Sequence, residues 1–312
     1  MMFFRGDASP SSFTVTPREL LVNRVWTAAL ARGIEMHQTP AEVIESDPRR
    51  SPQRTIWFVH GVLGQGRNWR SFARRALALV DGPARAVLPD LRGHGAHPRR
   101  PGPHTLDAAA ADLQELADDI GPPDVLVGHS LGGKIVIACL AGAQLPPATI
   151  VWSLDSPPGV DPAPARGEAH DPALVLELLR SSPVPAASRD EIRAYLASAG
   201  LPPAVVAWLL TSLHREPGGW RWVYDLEAIA SLLGDHHRRD LWPVVQAAGS
   251  RIQLVHAGAG GRWSPAELRR ASRAAAEHRV GLHTLPRAGH WLHVDDPEGV
   301  LALLRPSLQA PL

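Results

Sequence analysis

Along most of the chain, segments in which apolar residues follow the period of a β-strand alternate with segments in which they follow the period of an α-helix. Short runs rich in β-branched and aromatic residues alternate with segments whose apolar residues are spaced three and four apart. Such alternation of strands and helices predicts an α/β fold with a mostly parallel central sheet and helices on both faces. The predicted strands are 55–59, 85–88, 124–127, 149–154, 251–255 and 281–285. The predicted helices are 71–80, 106–120, 133–141, one that begins after Ser264 and one over 297–304.

Residues 161–245 interrupt this alternation, which divides the chain into a core and an insertion. Helical patterns fill the interval without obvious strands, at 172–180, 189–198, 203–214 and 225–233. We therefore expect an all-helical cap over 161–245, inserted into a core formed by 51–160 and 246–312. Residues 1–50 are expected to form an N-terminal extension. A capping box predicts a helix over 17–31 there, followed by an edge strand at 34–38.

Composition and charge exclude several classes of function but do not identify one. The chain has 312 residues and a net charge of +1, which gives no electrostatic case for binding nucleic acid or anionic lipid. No apolar run approaches the roughly 18 residues that a spanning helix needs, so we expect no integral membrane association. The single cysteine, Cys139, excludes an internal disulfide and a cysteine-built metal site. We interpret Lys134, the one lysine among many arginines, as an exposed helix residue.

The N-terminal residues indicate in which cellular compartment the protein is expected. Residues 1–17 lack the apolar stretch of about 7–15 residues that a secretory signal carries. A soluble intracellular protein is expected, located in the cytoplasm or in an organelle such as a mitochondrion or plastid. The oligomeric state stays open.

Gly128-His129-Ser130-Leu131-Gly132 fits the pattern G-x-S-x-G, between a predicted buried strand and a predicted apolar helix. Strand, sharp turn and helix are the context of a nucleophile elbow, which presents a serine hydroxyl at the edge of the sheet. A glycine on either side of the turn would avoid a collision between a Cβ and the neighbouring strand or helix. Ser130 is therefore the candidate nucleophile.

A serine nucleophile needs a base, and the base needs an orienting acid. His290 follows the last predicted strand and completes the chain order serine, acid, histidine; His293 is its nearest competitor. The loop 256–262, a common place for the acid, contains no Asp or Glu. Asp155, at the end of the strand after the nucleophile's helix, is the preferred acid. Its alternative role is an Asx bond within its own turn.

Two further aspartates, Asp235 and Asp240, stay open as the acid.

The oxyanion hole needs two fixed N–H groups. We assign them to Leu131, directly after the nucleophile, and to Val62, with Leu63 as the reserve. The loop 60–66 that carries Val62 is rich in glycine, but no Walker lysine follows it, which argues against phosphate binding.

Five segments together resemble the α/β-hydrolase superfamily, and within it the group of abhydrolase domain-containing protein eleven with its bacterial, plant and algal relatives. They are His60–Gly64, Gly66–Phe72, Asp90–Gly95, Gly128–Lys134 and Gly289–His293. The resemblance implies that the cap is inserted after the sixth strand of the fold. It also implies an acid after that strand, which matches Asp155. Some relatives instead carry an aspartate before an Arg-Trp pair, and Gly261 occupies that place here.

The resemblance implies a serine esterase that needs no cofactor and no metal. Its substrates would be small-molecule carboxylic esters of small to medium acyl chains, or thioesters, cleaved through an acyl-enzyme. We expect Trp208, Trp220 and Trp222 of the cap to contribute to an apolar acyl pocket. A thioesterase or C–C bond hydrolase using the same triad and a non-catalytic ligand receptor on the same fold are the alternatives.

Overall fold

The computed structural model describes residues 39–97, 99–142, 145–160 and 171–310. The helix predicted at 17–31 and the edge strand predicted at 34–38 lie outside these residues. The predicted domain boundaries stay predictions, although the observed elements follow the expected sequence of core, insertion and core.

Seven strands of the described residues form one sheet. They are β1 (Ala41–Glu45), β2 (Arg54–Val59), β3 (Ala84–Pro89), β4 (Val125–His129), β5 (Ile150–Leu154), β8 (Ile252–Ala257) and β9 (Gly281–Leu285). Their order in the sheet is β1-β3-β2-β4-β5-β8-β9. The edge strand β1 pairs antiparallel with β3, and the other neighbouring pairs are parallel. The predicted mostly parallel sheet is therefore confirmed.

Helices cover both faces of this sheet. Successive side chains of a strand point in opposite directions, so the central strands present apolar side chains to both layers of helices. Ile56 and Phe58 of β2 pack in one apolar cluster, and Trp57 and Val59 pack in another. A strand buried on both faces reads as a continuous apolar run, and β2 is buried along its whole length. The core helices are α1 (Arg70–Leu77), α2 (Leu106–Ile120), α3 (Leu131–Ala141), α8 (Trp242–Ala248), α9 (Pro265–His278), α10 (Leu292–Asp295) and α11 (Pro297–Gln309).

The cap lies between β5 and β8 and has an apolar core of its own. β5 is the fifth strand that the structure describes. Leu179, Ile192, Leu209 and Ile229 are fully buried in the cap core, and Leu63 from the loop after β2 packs with them. The loop that carries Val62 is thus anchored in the cap. The cap elements are α4 (Pro172–Arg180), α5 (Arg189–Ser198), α6 (Pro203–Leu210), β6 (Leu213–Glu216), β7 (Gly219–Trp222) and α7 (Leu226–Arg238).

The prediction of an all-helical cap was wrong at one place. The helix expected to reach residue 214 ends at Leu210, and the antiparallel hairpin of β6 and β7 follows. Gly218 and Gly219 adopt positive φ angles in the turn, which residues with a Cβ rarely do. The alternating tryptophans of β7 are a strand pattern too short to stand out beside the helical signals around it.

Lys134 is fully buried, so its interpretation as an exposed helix residue was wrong. Its ammonium group donates to the carbonyl oxygens of Gly159, at 2.6 Å, His236, at 2.7 Å, and Arg239, at 3.0 Å. These carbonyls belong to the segments by which the chain enters and leaves the cap. Helix α3, which begins directly after Ser130, therefore holds the two stems of the cap together, and three hydrogen bonds compensate the desolvated charge.

Candidate active site

Ser130 occupies the turn between β4 and α3 with φ 54° and ψ −119°, a strained conformation for a residue with a side chain. Its backbone N–H donates to Leu154 O at 3.0 Å, which anchors the turn to β5. A Cβ added at Gly128 would lie 2.2 Å from Gly132 O, and one at Gly132 would lie 2.5 Å from His60 O. Both glycines of the motif are therefore required by close backbone contact.

The structure brings the three preferred triad residues together. His290 Nε2 lies 3.1 Å from Ser130 Oγ, and His290 Nδ1 lies 2.7 Å from Asp155 Oδ2. A carboxylate can only accept, so Nδ1 carries the proton and Nε2 is left to accept the serine proton. This is the order of contacts that general-base activation of a serine requires.

Asp155 is fully buried at the end of β5, beside β8 in the sheet. Its backbone N–H donates to Val255 O at 2.8 Å. Its carboxylate accepts the N–H groups of Ala257 and Arg262, each at 3.1 Å, in addition to the His290 ring. These partners lie far along the chain, so the side chain holds together two neighbouring loops rather than capping its own turn.

Gly261 occupies the position that the resemblance offered as another place for the acid, and the structure leaves no room for a side chain there. An added Cβ there would lie 2.7 Å from Asp155 Oδ1 and 2.5 Å from Ala257 O. A side chain at 261 cannot coexist with a carboxylate at 155 without a shift of the backbone. The two positions are therefore mutually exclusive sources of the acid.

The two alternative aspartates have other partners. Asp235 Oδ2 accepts the N–H of Leu106 at 2.9 Å, at the start of α2. Asp240 accepts the N–H of Trp242 at 3.0 Å and pairs with Arg270 at 3.0 Å. Each carboxylate thus supports a helix end or a surface ion pair.

His293, the competing base, is half-buried and stacks on Trp69 with ring centroids 4.1 Å apart. Desolvation lowers its pKa to about 3, with a smaller contribution from His290, so its ring is neutral. His129, which the sequence analysis passed over, donates from Nε2 to His290 O at 2.7 Å. It therefore fixes the backbone of the base, and its place beside the nucleophile in the motif was the available signal.

Two buried histidines fix the loop that carries Val62. His94 Nδ1 donates to Arg92 O, so Nε2 accepts the Leu63 N–H at 3.0 Å. His60 Nδ1 donates to Gly61 O, and its Nε2 accepts the Leu91 N–H at 3.0 Å.

Burial is the main reason that the pKa of His60 falls to about 4 and that of His94 to about 3. Both rings are therefore neutral, as their accepting nitrogens require. Because the Leu63 N–H is committed to His94, the reserve oxyanion donor is already engaged.

A cavity of about 30 Å³ adjoins Ser130 and is lined by Val62 and Leu131, the two residues assigned to the oxyanion hole. The other described residues that line it are Asp155, Ser156, Pro157, Pro172, Leu233, His236, His237 and Arg262. About 10–15 Å³ suffices for one water molecule, so the space fits a group of a few atoms.

The three cap tryptophans are not among the described residues that line this cavity. Trp222 is buried in the cap and donates from its indole to Ser182 Oγ at 2.8 Å. Trp220 lies under the guanidinium of Arg189, 5.5 Å from the ring centroid. Trp208 contacts Trp291, which directly follows His290, with ring centroids 5.7 Å apart.

The described residues contain no group of three or more His, Cys, Asp or Glu side chains placed to hold a metal ion. No helix among them is long and apolar enough to cross a membrane.

Known proteins resemble this chain in sequence and in fold. The model of the "Alpha/beta hydrolase family" matches residues 58–303. The sn-1-specific diacylglycerol lipase ABHD11 of Mus musculus is 31% identical over 78% of this chain and 77% of its own length. Lipase LipV of Mycobacterium tuberculosis is 31% identical over 82% of this chain and 94% of its own. The solved structure of a marine microorganism esterase superposes with a TM-score of 0.67 at 19% identity, covering 85% and 98% of the two chains.

Proposed function

This chain belongs to the α/β-hydrolase family and is a carboxylic ester hydrolase, and we propose that it cleaves esters of small to medium acyl groups through an acyl-enzyme on Ser130. The observation that carries the proposal is the continuous line of contacts from Ser130 Oγ through His290 to Asp155. A hydroxyl with an accepting imidazole and an oriented carboxylate is the arrangement that acyl transfer to serine needs.

The reaction would begin when His290 Nε2 takes the proton of Ser130 as its oxygen attacks the ester carbonyl. The imidazolium then passes this proton to the leaving alcohol, which leaves the acyl group on Ser130. In the second half, Nε2 takes a proton from water as its oxygen adds to the acyl carbonyl. The imidazolium then returns that proton to Ser130 Oγ as the acyl–serine bond breaks, which releases the acid and restores the free serine. Asp155 keeps the proton on Nδ1 throughout and stabilises the imidazolium.

The oxyanion of each tetrahedral intermediate would be bound by the N–H groups of Leu131 and Val62. Leu131 is the first residue of α3, where the N–H groups lack partners within the helix and the helix dipole favours negative charge. Val62 lies in the loop that His60 and His94 hold in place. Donors fixed before the reaction stabilise the transition state without reorganisation.

Trp208 is the tryptophan that we propose to border the substrate, through its contact with Trp291. Trp220 and Trp222 would act indirectly, because they stabilise the hairpin and the cap core. Thioester and C–C bond hydrolysis use the same triad and stay as alternatives, as does a non-catalytic receptor. The cytoplasmic or organellar location stays a prediction.

Labelling with a fluorophosphonate tests the proposal directly, because this reagent bonds to activated serines. Wild type should be labelled, and Ser130→Ala should not, whereas Ser198→Ala on the exposed face of α5 should be labelled like wild type. Folded wild-type protein that resists labelling and leaves p-nitrophenyl butyrate intact would favour the receptor. A series of p-nitrophenyl esters should give its highest kcat/KM at short acyl chains, because the cavity is small.

A further inference from the structure

Two polar atoms in the wall of the cavity have no hydrogen-bond partner in the described part of the chain. They are Ser156 Oγ and His236 Nδ1. Ser156 is 1% exposed and His236 is 7% exposed, so bulk water does not satisfy them. Leaving a buried polar group unpaired costs about 1–3 kcal/mol, which makes two such groups beside a nucleophile unusual. A ligand with its own polar group would supply the missing partners.

Both side chains are held by rigid surroundings. Ser156 directly follows Asp155 and packs against α3, since a Cβ added at Gly133 would lie 2.5 Å from Ser156 Cβ. His236 lies on α7, and its carbonyl accepts the buried ammonium of Lys134 at 2.7 Å. A binding group that is fixed before the ligand arrives loses little entropy on binding. The two atoms are thus preorganised, and Lys134 is a positioning residue for one of them.

The position of the cavity relates it to the acyl part of the substrate. Val62 and Leu131 line it, and they are the residues proposed to bind the carbonyl oxygen. His290, which must protonate the leaving alcohol, is not among the described residues in its lining. The alcohol side of the ester therefore faces His290, and the cavity is left for the first atoms beyond the carbonyl carbon.

The lining contains both apolar and polar side chains. Val62, Leu131 and Leu233 suit a short hydrocarbon, whereas Ser156 and His236 require a hydrogen-bonding group. Burial is the main cause that lowers the pKa of His236 well below its usual range, so its ring is neutral. A neutral imidazole and a hydroxyl suit an uncharged group that both donates and accepts, which a substrate hydroxyl does and a carboxylate does not.

We infer that this cavity is an acyl subsite for esters of short 2-hydroxy acids, with Ser156 Oγ and His236 Nδ1 as the partners of the substrate's 2-hydroxyl group. The inference rests on the proposed function, since it names the acyl group that the Ser130 reaction would accept. The volume of about 30 Å³ admits a methyl and a hydroxyl on the carbon next to the carbonyl but no long chain.

The test compares ethyl 2-hydroxypropanoate with ethyl propanoate, which differ by the hydroxyl alone. Acid release is followed in a pH-stat, and kcat/KM is measured for both esters and for each enantiomer of the hydroxy ester. The hydroxyl raises the intrinsic reactivity of the ester equally for every variant. The informative quantity is therefore the ratio of kcat/KM for the hydroxy ester to kcat/KM for the plain ester, compared between each variant and wild type. Ser156→Ala and His236→Phe should each lower the ratio of hydroxy ester to plain ester about tenfold, because each removes one hydrogen-bond partner.

Enantiomer preference provides an independent readout, since enantiomers have identical intrinsic reactivity. Ser156→Ala should reduce the wild-type preference for one enantiomer, and Ser198→Ala should preserve both the preference and the ester ratio. His236→Phe is interpreted alongside its melting curve, and Ser156→Ala, a change of one atom, decides the result if the larger replacement unfolds the cap.

An ester ratio and an enantiomer preference that are the same in Ser156→Ala and in wild type would overturn the subsite while leaving ester hydrolysis intact. A wild-type preference for monoethyl malonate over the hydroxy ester would overturn it too, in favour of an anionic acyl group. Failure of the underlying function looks different, because wild type would then cleave none of these esters and would resist the fluorophosphonate.

Discussion

Gly261 leaves free the space that the Asp155 carboxylate occupies beside His290, since a Cβ at position 261 would come within 2.7 Å of that carboxylate. Adjacent parallel strands, β5 and β8, bring the two loops together at one edge of the sheet. A side chain at either position needs the other position to leave room for it. In this chain Asp155 follows β5, and β8 with the loop after it supplies Gly261 and two backbone donors, Ala257 and Arg262.

Gly261→Ala tests this relationship with the smallest possible side chain. The new methyl would displace Asp155 or the backbone at Ala257, and a shift of about 1 Å near a catalytic group can cost roughly a hundredfold in rate. We expect kcat for a p-nitrophenyl ester to fall at least tenfold. The matched control is Gly142→Ala, because the nearest atom to a Cβ there is 3.9 Å away. Equal activity of both variants would contradict the packing argument.

Asp155→Asn should lower kcat up to ~10⁴-fold while leaving KM similar, because the amide cannot hold the productive tautomer of His290 or stabilise its charge. Steady-state hydrolysis of p-nitrophenyl butyrate measures this loss. Asp240→Asn is the control, since that carboxylate pairs with Arg270 on the surface. Should Asp155→Asn turn over at the wild-type rate while Asp240→Asn does not, the assignment of the acid is wrong.

The buried neutral histidines predict a loss of stability in mild acid. The pKa values of His60, His94 and His293 fall to about 4, 3 and 3 in the folded chain, mainly through burial. The unfolded chain binds these protons near pH 6.5, so it takes up more protons than the folded chain below that pH. Their contribution is fully present above pH 6.5 and is lost as the pH falls toward 4.

Urea unfolding between pH 7.5 and 5 measures this loss. Each such histidine contributes a slope of up to about 1.4 kcal/mol per pH unit in the free energy of unfolding. His293→Phe keeps an aromatic ring on Trp69 and removes one of the titrating groups, so its curve should be shallower than that of wild type. Parallel curves for the two proteins would exclude His293 as a source of the dependence.

Lys134→Met should destabilise the chain although methionine fills a similar volume. The carbonyls of Gly159, His236 and Arg239 would lose a charged donor, and an unpaired buried acceptor costs about 1–3 kcal/mol. We expect the free energy of unfolding to fall by about 3 kcal/mol or more, with a lower Tm. Arg74→Met, which removes an exposed cation from α1, is the control. The same Tm in both variants would show that the cap stems do not depend on Lys134.

The sequence determined the parts of this protein that depend on neighbours along the chain. The helix at Leu106–Ile120 has the predicted bounds, because its apolar spacing and its Thr105 cap are local signals. The elbow at Ser130 was predictable for the same reason, since the steric demand on its glycines arises within a few residues. The position of His290 after the last strand of the sheet followed from the strand predicted at 281–285.

Tertiary structure decided what depends on residues distant along the chain. Asp155 gains its contacts from the register of β5 against β8, which brings Ala257, Arg262 and His290 to one carboxylate. Lys134 is buried because the cap stems surround it with carbonyl oxygens, and a local helical pattern carries no trace of them. Local sequence fixes backbone conformation through short-range sterics and hydrogen bonds. Burial, charge environment and catalytic contact arise only when the sheet places distant loops at one edge.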